Sequence, residues 1–386
     1  MPKTLEVVIA GGGAVGSACG YFLAAAERAD LSVTVVEPDP GYQFASSARS
    51  AGSIRLQFTT PANIAMSDFG MSFLKYLARG ELGLHHSTYL YLANTTSGAA
   101  ALRHNVSVQS AAGVSVRLHD RAALASAYPW LNSADLLAGA DTTEGEGWFD
   151  GYSLLRVLRG SNERRGVLYV KGRVAGLERG PGGAITAARL ADGGRLACTH
   201  FINAAGTHSR DIAAMIGLDL PVHARKRCVF VFTCPEHIAP CPLLIDPSGL
   251  WFRGDGDRYI AGCTPAPDPN VATDDFDVDH DLFDAVMWPI LAHRVPAFES
   301  LRVTGTWAGH YDYNEFDQNP FIGAAPGAPN FLLASGFSGH GLQHSPAIGR
   351  ALAEWILHGE YRTIDLAPLG IGRLAERREL RENNVI

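Results

Sequence analysis

The sequence predicts an α/β fold in which one domain is interrupted by a second, sheet-rich one. Three features carry that reading. An apolar, β-prone run over residues 5–10 enters a turn containing Gly11, Gly13 and Gly16, and a small-residue helix pattern leaves it. A second strand over residues 32–36 ends in Glu37, roughly 20 residues past the last glycine of the turn. From Pro221 onward the pattern turns to short, Pro-broken β runs at residues 228–232, 250–253, 258–262 and 303–309, before a strand and a helix close the chain.

Strand, glycine turn, helix, strand and acid stand in the order that a dinucleotide site needs. Gly11 permits the tight turn, Gly13 lets a pyrophosphate approach the backbone, and Gly16 lets helix and strand pack closely. The helix start offers N–H donors to the anion. Glu37 is placed to bind ribose hydroxyls, and a carboxylate there disfavours a 2′-phosphate, so NADP is not expected.

Residues 45–58 mix small and hydroxylated side chains with Arg49 and Arg55. Such a loop suits either a water-facing surface or contact with phosphate and carboxylate groups, and the preceding turn favours contact. Helical spacing predicts a helix over residues 61–77, a strand over 86–92, and helices over 99–112 and 151–165, the last with Asp150 as its N-cap. Strands follow at 166–170 and, continuing it, 173–177, then a hairpin through Asp192, Gly193 and Gly194. The strand over 200–203 ends in Ala204-Ala205-Gly206, where small side chains let a backbone lie against a flat or charged ligand. The β-rich block from Pro221 reads as an antiparallel sheet. Near the chain end, residues 330–335 form a strand, residues 336–343 a glycine-rich turn, and a helix runs to about 357, so a second donor-rich helix start recurs.

At 386 residues the chain is too long for one compact core. A net charge of −7 without a dense basic face argues against a nucleic-acid partner. No apolar stretch approaches a membrane span. The first strand starts by residue 5, which leaves no room for a leader, and a cytoplasmic location is expected. Six cysteines, with no C-x-x-C and no metal-ligand spacing, are expected as free thiols, Cys234 and Cys241 being the one pair near enough in sequence to meet.

Taken together, the glycine turn with Glu37, Ser46-Ser47, Asn203-Ala204-Ala205-Gly206, Trp307-Ala308-Gly309, Pro320-Phe321-Ile322-Gly323 and Gly336-Phe337-Ser338-Gly339-His340-Gly341 resemble the D-amino-acid oxidase and sarcosine oxidase superfamily of flavoproteins. The match runs over nearly the whole chain. Within it, Glu146-Gly147-Trp148-Phe149-Asp150 and Glu382-Asn383-Asn384-Val385-Ile386 are similar to a group linked to respiratory-complex assembly, with sarcosine oxidase β subunits next.

The resemblance implies FAD and a Rossmann-type FAD-binding domain with an inserted large mixed or antiparallel-sheet substrate domain. The former would comprise residues 1–82, 148–222 and 324–386, the latter 83–147 and 223–323. It implies that Gly11, Gly13, Ala14, Val15 and Gly16 line the pyrophosphate, Glu37 the ribose, and Ser46, Ser47 and Ala48 the phosphate and ribityl chain. Val174 would meet the adenine, Ala205 and Gly206 the flavin side, and Gly339, His340, Gly341 and Leu342 the pyrimidine edge.

Departures from the family pattern shape the functional expectation. Relatives with covalent flavin attach it through a cysteine near residues 307–311; none stands here, which implies noncovalent FAD. The lysine that promotes reaction with oxygen is missing from residues 258–262, which favours a dehydrogenase passing electrons to a quinone or carrier protein over an oxidase. A substrate-binding lysine is replaced by Gln343, and the arginine after Trp-Ala-Gly by His310-Tyr311. Arg55 and Arg253 remain as candidate carboxylate clamps. The implied reaction is hydride transfer from an amine or (N-methyl) amino-acid carbon to flavin N5, with His310 as proton acceptor and Tyr311 as hydrogen-bond donor, or both simply packed. Two other readings are an assembly protein with structural FAD and a peroxide-producing oxidase.

Overall fold

The computed structural model describes residues 4–77 and 82–384. The strand Leu5–Ala10 sits inside a six-stranded sheet whose spatial order is Phe321–Ala325, Ala328–Ser335, His200–Asn203, Leu5–Ala10, Leu31–Glu37 and Leu168–Lys171. All neighbours run parallel except the first two. The pleat sends Val7 and Ile9 to one face and Val8 and Ala10 to the other, and both faces are covered. On the first face lie the helices Ala14–Ala24 and Gly341–His358, where a Cβ on Gly349 would come within 2.5 Å of the Ala18 backbone. On the second lies a three-stranded sheet, Val174–Arg179, Ile185–Leu190 and Arg195–Ala197. Val174 thus starts a new sheet, whereas the sequence suggested a continuation of the preceding strand.

The second sheet has eight strands in the order Arg302–Asn314, Val222–Thr233, Arg258–Gly262, Trp251–Asp255, Leu243–Ile245, Tyr89–Ala93, Ala138–Thr142 and Val116–His119. It is mixed, because Leu243–Ile245 runs parallel to Tyr89–Ala93 while the other pairs are antiparallel. Phe230, Phe232, Phe252 and Tyr259 pack on its outer side against Phe283, Met287, Leu291 and Phe298. The strand Phe321–Ala325, which straddles the expected 323/324 boundary, belongs to the first sheet. Among the described residues no helix is long and apolar enough to cross a membrane.

Some expected elements match closely. Residues 61–77 form the helix Pro61–Leu77, and Asp150 caps Gly151–Arg164 by accepting from the Tyr152 N–H at 3.0 Å. All six cysteines are free.

Candidate active site

A cavity of about 1160 Å³ runs between the two sheets. Its floor at one end is the glycine turn. Gly11 has φ of +96°, and a Cβ there would stand 2.3 Å from the Ala204 oxygen; a side chain fits neither the conformation nor the space. The helix Ala14–Ala24 begins at Gly13 without a side-chain cap, so its first N–H groups remain available to an anion, apart from Ala14 N–H, which donates to Ser47 Oγ at 3.1 Å. Glu37 is buried and accepts from the N–H groups of Gly12 at 2.7 Å and Asp39 at 2.8 Å. Burial raises its pKa above the ordinary carboxylate value against those two hydrogen bonds.

Gly11, Gly13, Ala14, Val15, Glu37, Ser46, Ser47, Val174, Ala205, Gly206, Gly339, His340, Gly341 and Leu342 all line the cavity. Gly16 and Ala48 stand behind its wall. A Cβ on Gly16 would come within 1.9 Å of the Gly11 oxygen, so it serves the strand-to-helix packing, and Ala48 packs on the cluster of Tyr21, Phe73 and Leu154.

At the other end the helix Gly341–His358 points its uncapped start into the cavity, with no acid in its first turn. Asp312 holds the turn before it. Its Oδ2 accepts from Gly336 N–H at 2.8 Å and Phe337 N–H at 3.2 Å, and its carbonyl accepts from Ser338 N–H at 3.1 Å. Burial raises the Asp312 carboxyl to about 6.

Arg55, His310, Tyr311 and Gln343 line this end. Arg55 is 3% exposed. Its Nη2 lies 3.0 Å from His340 Nε2 and also donates to the Asn384 carbonyl, while its backbone N–H donates to Gln343 Oε1 at 2.9 Å. Its Nε–H has no partner, and it makes no ion pair with any described residue. Because Arg55 always carries its protons, His340 accepts through Nε2 and is neutral; burial, then Arg55, lowers its pKa well below the ordinary imidazole value. His310 Nε2 lies 2.6 Å from the Asp275 carbonyl, so that nitrogen carries the proton and Nδ1 is the acceptor. Burial lowers its pKa too. The Tyr311 hydroxyl makes no hydrogen bond with a described residue, and Arg227 lies over its ring at 5.0 Å while pairing with Asp268.

Arg253 departs from expectation. Its guanidinium donates to the carbonyls of Gly254 and Ala51, pairs with Asp255 at 2.7 Å and lies over Trp148. It is spent on structure and does not line the cavity. Sequence reasoning also missed Glu146, fully buried and accepting from Leu56 N–H, Gln57 N–H and Nε2, Tyr89 N–H and Thr142 Oγ1. That carboxylate ties the Arg55 loop to the second sheet. Its donors are mostly backbone groups far away in sequence, which no local pattern reveals.

The cavity fits a long, two-ended dinucleotide: a side-chain-free cradle and a buried acid at one end, an uncapped helix start and an unpaired arginine at the other. The model of the DAO family, FAD dependent oxidoreductase, matches residues 6–355, and the chain belongs to that family. FAD is its cofactor. FAD-dependent oxidoreductase domain-containing protein 1 of Xenopus laevis is 39% identical over 100% of this chain and 85% of its own length. The mitochondrial dimethylglycine dehydrogenase of Mus musculus is 26% identical over 95% of this chain and 44% of its own. The crystal structure of L-proline dehydrogenase from P. horikoshii superposes with a TM-score of 0.86 at 22% identity, covering 99% of this chain and 100% of that one, a likeness of fold. Among the described residues no cluster of His, Cys, Asp or Glu is arranged to hold a metal ion.

Proposed function

We propose that the protein oxidises the C–N bond of a small amine or N-methyl amino acid bearing a carboxylate, as a dehydrogenase with noncovalent FAD. The observation that carries this is Arg55, a buried cation on the cavity wall with no anionic partner among the described residues. A buried charge with no carboxylate in contact is costly, and a substrate carboxylate supplies that contact.

When bound, FAD supplies the acceptor for the hydride that leaves the substrate carbon. Gly11, Gly13, Ala14, Val15, Glu37, Ser46 and Ser47 would hold its adenosine diphosphate half, and Gly339 to Leu342 the ring edge. The rest belongs to this chain. Arg55 orients the substrate by its carboxylate. Neutral His310, locked by Asp275 so that Nδ1 is its basic nitrogen, keeps the amine deprotonated. Tyr311 offers a hydroxyl free to donate. No lysine is among the described residues that line the cavity, which supports electron transfer to a quinone or carrier protein over reaction with oxygen. Six free thiols fit a reducing compartment such as the cytoplasm.

Anaerobic titration of the holoprotein with sarcosine, N,N-dimethylglycine, proline and D-amino acids tests the reading. At least one bleaches the flavin, and a quinone restores the colour faster than oxygen does. A flavin that stays oxidised across the panel refutes it.

A further inference from the structure

We propose that residues 380–384 are a working part of the substrate site, because they set the position of the Arg55 guanidinium. This rests on Arg55 as the carboxylate-binding group.

The segment is attached along its length. Leu380 N–H donates to Asp317 Oδ2 at 3.1 Å and Asn319 Nδ2 donates to the Leu380 carbonyl; Asp317 is itself fixed by a fully buried pair with Arg373 at 2.7 Å. Glu382 is fully buried and accepts from the N–H and hydroxyl of both Thr59 and Thr60 and from Asn63 Nδ2, at 2.8 to 3.2 Å. Thr59 and Thr60 immediately precede the helix Pro61–Leu77, so the carboxylate also sits at a helix start, where it is favoured. Asn384 Nδ2 donates to the Gln57 carbonyl at 2.8 Å, and Asn105 Nδ2 donates to its Oδ1. The Asn384 carbonyl ends this chain of contacts on Arg55 Nη2.

Each acceptor that touches Arg55 is neutral: His340 Nε2 and the Asn384 carbonyl. The nearby carboxylates act from a distance. Burial opposes the Arg55 charge, and Tyr91, Tyr89, Glu382 and Glu146 together outweigh it. The carboxylates among these groups are Glu382 and Glu146. Both carboxylates use their oxygens on other donors. Arg55 keeps its charge, and its guanidinium is held through Nη2 while Nε and Nη1 have no partner among the described residues. An acid placed in direct contact would have occupied the fork that a substrate needs. Residues 380–384 supply the orientation without that competition.

The test measures binding of benzoate and its uncharged analogue benzamide to the FAD holoprotein by flavin absorbance and calorimetry, in wild type, Glu382→Gln, Asn384→Gly and Arg55→Gln. Wild type prefers benzoate. Glu382→Gln and Asn384→Gly weaken benzoate about tenfold and leave benzamide affinity and FAD stoichiometry unchanged, a ratio that a purely structural role would not move. Should Glu382→Gln fail to fold, Asn384→Gly, which loses only the tethers to Gln57 and Asn105, carries the test. Unchanged benzoate affinity in both variants, with preference lost in Arg55→Gln, overturns this inference alone. No preference in wild type and no effect of Arg55→Gln overturns the reading of Arg55 as well.

Discussion

Glu37 accepts the Gly12 N–H at 2.7 Å, which ties the acid that ends the second strand to the turn that ends the first. The same carboxylate takes the Asp39 N–H at 2.8 Å, and on the proposed reading its remaining lone pairs would accept from the ribose of FAD. Glu37→Ala is therefore expected to weaken FAD binding by about 1–3 kcal/mol, or roughly five- to 150-fold. Burial raises the Glu37 pKa, so the group gains its proton at a higher pH than an ordinary glutamic acid and loses acceptor capacity when it does. FAD affinity falls on mild acidification in wild type and is flat in Glu37→Gln; flavin fluorescence after dialysis measures both.

Gly11 and Gly13 separate folding from cofactor binding. Gly11→Ala meets the Ala204 oxygen at 2.3 Å with φ at +96°, and it yields unfolded or insoluble protein. At Gly13 the backbone is ordinary for any residue, with φ −62°, and a Cβ meets only Ser47 Oγ at 3.4 Å. Gly13→Ala is expected to fold with nearly wild-type melting of the apoprotein and to lose most FAD affinity, because the methyl group would stand where the proposed site puts the pyrophosphate.

Both glycines and Glu37 were legible in the sequence from their spacing, as were the helix Pro61–Leu77 and the cap at Asp150, although the Ala204 oxygen that bars a side chain at Gly11 comes from far along the chain. The strand Ala138–Thr142 was not. All five of its residues are buried, yet Ala-Gly-Ala-Asp-Thr has no β-branched run, because facing strands supply the bulk. Arg253 misled because its Nη1 and Nη2 are bound to Asp255 and to the Gly254 and Ala51 carbonyls and it lies off the cavity wall, and sequence does not show what a side chain faces. Arg55 was legible as a candidate, whereas Glu146, Asp312 and Arg227 were not, their partners being contributed by the fold.

Asp312 predicts a pH effect on stability. Its folded pKa is about 6, above the ordinary aspartate value, because burial favours the neutral form. A raised carboxyl pKa means the folded state binds the proton more tightly, so this group's contribution is present at low pH and is lost as pH rises from about 4 to 6, by at most about 3 kcal/mol. Asp312→Asn keeps an oxygen for the Gly336 and Phe337 N–H groups and removes the titration. Its melting temperature relative to wild type therefore rises between pH 5 and pH 8; a constant difference would contradict the assignment.

Glu146→Ala removes one acceptor shared by five donors. The loss is expected to destabilise the protein by about 3–5 kcal/mol, read from urea unfolding. Glu146→Gln, which keeps one oxygen, is expected to lose roughly half of that.

The most direct measurement compares anaerobic flavin reduction by sarcosine or proline with that by dimethylamine or pyrrolidine, the same amines without the carboxylate, in wild type and Arg55→Gln. The account predicts that wild type reduces its flavin at least a hundredfold faster with the carboxylate-bearing partner, and that Arg55→Gln erases the difference by slowing that partner alone. Equal rates for both partners in wild type, or a preference that survives in Arg55→Gln, would contradict it.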